Sequence, residues 1–126
     1  MMKKPRARDE APSNVAAGPP EPLCWERDPN SQALRVELNG DACFVFPYAH
    51  LSFAKLDRVG VAETLSLMFT THEIRITGRR LRDLLLAVQK LSAEWVKEMP
   101  SRYSALIQKN SPFIETISVT EVSERL

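Results

Sequence analysis

The stretch GRRLRDLLLAVQKLSAEWVKEMP, residues 78–100, sets the expected fold. Gly78 closes a run of extended chain, and Pro100, which has no N–H to donate, stops whatever precedes it. Between them Leu81, Leu84, Leu85, Val88, Leu91, Trp95 and Val96 fall on one arc of a helical wheel at about 100° per residue. The spacing predicts a single amphipathic helix from Arg79 to Glu98, about 30 Å long at the usual rise per residue.

Upstream the period changes to two. Leu34, Val36 and Leu38 alternate with Arg35 and Glu37, which reads as a half-buried strand. Asn39-Gly40-Asp41 and the apolar run from Ala42 to Phe46 then predict a hairpin. A two-residue loop would set Val36 opposite Cys43. A loop of Leu38, Asn39 and Gly40 sets Leu34 opposite Phe44 and Val36 opposite Ala42, and gathers Leu34, Val36, Phe44 and Phe46 on one face, so it is preferred. Pro47 turns the ladder aside or makes it an edge. The apolar phase moves from Phe44 and Phe46 to Leu51 and Phe53, so a turn or bulge is expected at Tyr48, Ala49 and His50. Residues 57–62, with Gly60, read as a loop. Leu65, Leu67 and Phe69 form one strand face and Ile74 and Ile76 another, and the switch between them at Thr70, Thr71 and His72 suggests a hairpin without glycine, with a bulge as the competing reading.

Beyond Pro100, Ser101 is placed to cap a short helix with Tyr103, Leu106 and Ile107 inward. Phe113 to Val119 reads as a final strand. The expected class is therefore α+β. An antiparallel sheet of about five or six strands packs against one long helix in the C-terminal half, with a short second helix and a candidate last strand.

Five of the nine prolines lie in residues 1–22 with almost no large apolar side chain, so this segment is expected to be a flexible arm before one domain over residues 23–126. The basic start runs directly into Asp9 and Glu10 with no apolar core, unlike a secretory leader. The longest apolar runs, at residues 42–47 and 84–88, are far below the roughly 20 residues that span a bilayer. A cytoplasmic protein is expected, with Cys24 and Cys43 reduced and Cys43 buried among its apolar neighbours. A single bridge between the two cysteines stays open.

Chemistry-bearing motifs are sparse. His50 and His72, even with Cys24, Cys43 or Glu73, match no zinc spacing. No Gly-x-Ser-x-Gly elbow, phosphate loop or paired carboxylates stand out. No catalytic residue, metal or cofactor is expected, and the chain reads as a non-enzyme.

The basic residues carry more information. Seven basic groups face three acidic ones across residues 75–102, so the net charge of +1 hides a local excess. Arg79, Arg80 and Arg82 would crowd the first turn of the helix, against its macrodipole, which can indicate a bound anion. The plainer reading pairs them with Asp57, Glu63 or Glu73. Arg79, Arg82, Leu86, Lys90 and Lys97 would share the polar face, where Leu86 ringed by cations could dock a partner, or simply be solvated. The leading expectation is a small binding or adaptor module for another protein or its own copy. The alternative is nucleic-acid binding through the basic helix start and the N-terminal arm.

Overall fold

The computed structural model describes residues 23–40, 42–107 and 110–122, and the expected arm at residues 1–22 lies outside them. Two four-stranded sheets face each other across one core. The first holds β1 (Trp25–Arg27), β2 (Ala33–Glu37), β3 (Cys43–Pro47) and β7 (Ala93–Lys97) in the order β1-β7-β2-β3. The second holds β4 (Leu51–Val59), β5 (Ala62–Phe69), β6 (His72–Arg79) and β8 (Phe113–Glu121) in the order β4-β5-β6-β8. Among the described residues one α-helix, α1 (Arg82–Gln89), joins β6 to β7. The expected α+β class, one sheet under a long helix, is therefore wrong. The molecule is mostly β, and the C-terminal part of the expected helix, Ala93–Lys97, is strand.

The helix stops where Leu91 takes a left-handed conformation, φ 54°. The Leu91 N–H donates to the Val88 carbonyl, and the Ser92 N–H to that of Ala87, both at 2.8 Å. This pair of bonds is the Schellman arrangement, which usually places glycine where Leu91 stands. From Ala93 the chain extends and inserts β7 between β1 and β2, antiparallel to the first and parallel to the second. The register of β1 against β7 slips at Glu26, leaving Glu94 as the extra residue. That bulge turns both Ala93 and Val96 inward. Two inward residues three apart imitate the spacing of a helix, which is why the sequence period runs on past the real helix end.

The first hairpin gathers the expected face, with Leu34, Val36 and Phe46 buried and Phe44 packed beside them, but in another register. Leu34 opposes Phe46 and Val36 opposes Phe44, so the connection is residues 39–41 rather than 38–40. Gly40 supplies the positive φ, 102°. Pro47 ends β3 on the outer edge of its sheet, and a 3-10 turn at Tyr48–His50 carries the chain across to β4. Residues 57–62 are not a loop. β4 and β5 continue to a tight hairpin at Gly60 and Val61, with Gly60 at φ 65°. β5 and β6 are joined through Thr70 and Thr71, the expected hairpin without glycine. The short second helix is a 3-10 turn, Ser101–Leu106, with Leu106 exposed and Ile107 buried. β8 lies beside β6 as an edge strand.

Candidate functional site

The start of α1 shows how the local charges are settled. Glu63 sits on the same alternating face of β5 as Leu65, Leu67 and Phe69, and is only 5% exposed. Its Oε1 accepts the Leu81 N–H at 2.7 Å and its Oε2 accepts Arg58 Nη2 at 3.1 Å. Arg58 and Glu63 are direct partners across the β4–β5 hairpin. The helix start thus receives its negative charge from within the chain, at the end where the macrodipole favours it. The plainer reading of the arginines named Glu63 as a partner, but the guanidinium it holds is that of Arg58.

Arg79 and Arg80 are not in the helix. Arg79 ends β6, and Arg80 forms a turn with φ 59° before Leu81. Both line a cleft of about 730 Å³ between the β4–β5 hairpin tip and the chain at residues 104–107, with Arg58 and Glu63 on another wall. The Arg79 guanidinium lies over the Phe113 ring, 5.0 Å from its centroid. Its Nη2 reaches the carbonyl oxygens of Ser104 and Ile107 at 3.4 Å, and its Nε is buried with no hydrogen-bond partner.

The remaining candidates separate. Arg82, Leu86 and Lys90 follow one another at intervals of four along α1 and are all exposed, so this part of the expected basic face exists as a ridge. Lys97 lies on β7 and Arg79 on β6, so the continuous cationic face from Arg79 to Lys97 does not form.

A second concavity, about 330 Å³, runs between α1 and β4. Leu51, Phe53, Leu85, Val88 and Leu91 line it, and Phe53 is 55% and Leu91 46% exposed. Leu86 is not among its lining residues.

Neither histidine lines either concavity. His50 is exposed at the 3-10 turn, where its carbonyl accepts the Thr70 N–H. His72 packs against Phe44 and Phe46, with centroids 6.3 and 5.4 Å away, and its Nδ1 is 2.7 Å from Thr71 Oγ1. Among the described residues no three His, Cys, Asp or Glu side chains stand close enough to hold a metal. The expected burial of Cys43 is wrong, because its side chain lies on the outer face of the edge strand β3. Cys24 is buried and Cys43 exposed, both as free thiols. Burial pushes the Cys24 thiol up to about 11. No helix among the described residues is long and apolar enough to cross a membrane.

Arg58 and Phe53 carry no site signal in the sequence, and Glu63 is read there only as a partner for the helix arginines. Glu63 did leave a signal, a charged residue in phase with the apolar face Leu65, Leu67 and Phe69. Arg58 becomes its neighbour only once the Gly60-Val61 hairpin is known.

The two concavities define a small two-sheet β protein with a cationic cleft and a separate apolar groove. No family model, curated protein or solved structure matches the chain.

Proposed function

We propose that this chain is a non-enzymatic binding module of the cytoplasm that docks another protein in the groove between β4 and α1. The observation that carries the reading is the pairing of Phe53 and Leu91, two large apolar side chains about half exposed on opposite walls of that groove. An apolar side chain from a partner would cover both and gain the burial that dominates interface energetics. A second copy of the chain meets the same requirement. Nucleic-acid binding through Arg79, Arg80 and Arg82 draws less support, because the basic face is divided between elements.

The test pairs sedimentation velocity with affinity capture, comparing the native chain with a Phe53→Ser, Leu91→Ser double variant. The expected result is a dimer or a stoichiometric partner complex for the native chain that the double variant no longer forms. A native chain that stays monomeric and captures nothing dependent on Phe53 and Leu91 overturns the reading.

A further inference from the structure

Arg79 has fewer acceptors than its donors require. A guanidinium carries five N–H groups in a planar fork. Here one, on Nε, is buried without a partner, and Nη2 finds two carbonyl oxygens only at 3.4 Å. A buried donor left unpaired is costly, so such a group is normally satisfied by protein, water or ligand. Stacking on Phe113 fixes the plane of the fork at the cleft. Arg58 enters the same cleft from β4, with β5 lying between the two strands. One of its nitrogens is held by Glu63, while the side chain stays largely exposed.

We propose that this cleft binds the phosphate group of a small organic phosphate, with Arg79 and Arg58 as the recognising side chains. A tetrahedral anion offers acceptor oxygens in several planes and a charge near −2, so two guanidinium forks from different strands can address it together. A carboxylate, with two coplanar oxygens, matches a single fork. The Leu81 N–H takes no part, since Glu63 already occupies it.

The size of the cleft, about 730 Å³, points to more than a bare ion. It lies within the range of sites that enclose whole small molecules, roughly 300–1,000 Å³. Its lip at Val61 is 88% exposed, and Leu106, between the lining residues Ala105 and Ile107, is 64% exposed. Cationic walls with apolar lips fit a phosphate attached to an apolar or planar body. This site shares no lining residue with the groove between β4 and α1, so it stands independently of the protein-docking reading.

A soluble nucleotide and a lipid headgroup both present such a phosphate, and the experiment separates them. The full chain is titrated at low salt with adenosine diphosphate and with adenosine by calorimetry. In parallel it is mixed with vesicles containing phosphatidic acid, or phosphatidylcholine alone, and sedimented. Binding of the diphosphate but not the nucleoside supports the site with a soluble ligand. Retention on phosphatidic acid vesicles alone supports it with a lipid one. In either case Arg79→Gln should weaken binding about tenfold or more, and Arg82→Gln on the helix ridge should leave it unchanged. Should Arg79→Gln fail to fold by circular dichroism, the readout moves to the native chain, where the Arg79 side-chain Nε–H resonance must shift on ligand addition. The proposal is overturned if neither probe binds, if the folded Arg79→Gln variant binds as tightly as the native chain, if binding follows Arg82 and Lys90 instead, or if that resonance stays unmoved.

Discussion

Buried charge and crowded backbone act together where β6 meets α1. Glu63 is nearly enclosed, and its two carboxylate oxygens find partners in different elements, Leu81 at the helix start and Arg58 across the hairpin. Gly78, one turn of chain earlier, serves β8 in another way. The ladder between β6 and β8 slips at Thr77 and Gly78, and the β8 backbone closes in. A Cβ built on Gly78 would stand 1.9 Å from the Phe113 carbonyl oxygen, a main-chain atom with no freedom to swing aside. Gly78→Ala should therefore force the strands apart and cost about 1–3 kcal/mol or more, as overpacking does elsewhere. Urea denaturation measures it, and a variant as stable as the native chain would show that β8 can yield. Since Phe113 also supports the Arg79 guanidinium, the same change should disturb the cleft.

Among the elements, the passage from α1 to β7 shows what a sequence can and cannot convey. Leu81, Leu84, Leu85 and Val88 do mark a helix, and all four pack inward in α1 or at its cap. The alternation of Leu65 with Leu67, and of Ile74 with Ile76, is likewise that of two buried strand faces. The helix end was not legible, because its signal is normally glycine and here Leu91 fills the left-handed position. β7 was not legible either, because its bulge gives Ala93 and Val96 helical spacing. The candidate site suffered for the same reason. Arg79 and Arg80 stand out in the sequence, yet their setting depends on Arg58 and Glu63, which the pairing of β4 with β5 and of β5 with β6 brings to them. The stop itself can be tested. A left-handed residue tolerates glycine freely and a β-branched side chain poorly. Leu91→Gly should thus be more stable than Leu91→Ile by about 1–2 kcal/mol, although isoleucine keeps the apolar area that glycine removes. Chemical denaturation of the two variants gives the difference. The reverse order would mean that Leu91 is held by its packing in the groove rather than by the demands of the turn.

At the scale of the whole molecule, stability rests on two sheets staying closed over groups that ionise only at high pH. Cys24, just before β1, is 3% exposed, and its backbone carbonyl accepts the Lys97 N–H of β7. Tyr48 is buried in the turn between the sheets, and its hydroxyl donates to the Ala93 carbonyl at the start of β7. Burial raises the Cys24 thiol from 9.0 to about 11 and the Tyr48 phenol from 10.0 to about 12. Both shifts favour the protonated, neutral form in the folded chain. Their contribution to stability is accordingly full below the ordinary values, where folded and unfolded chains bind the same protons. It is lost as pH rises, because the unfolded chain releases its protons first. The loss from Cys24 falls between pH 9 and about 11, and that from Tyr48 between pH 10 and about 12. Urea midpoints followed against pH should fall across these windows. Cys24→Ala should flatten the first part of the decline and Tyr48→Phe the second, whatever constant offset each variant carries from lost packing or the lost bond to Ala93. Slopes parallel to the native chain in both variants would mean that the sheets already open to solvent in alkali. The thiols give an independent reading of the same closure. Cys43 on the exposed edge strand β3 should react with a disulfide reagent at once, and Cys24 only at the rate at which the two sheets separate.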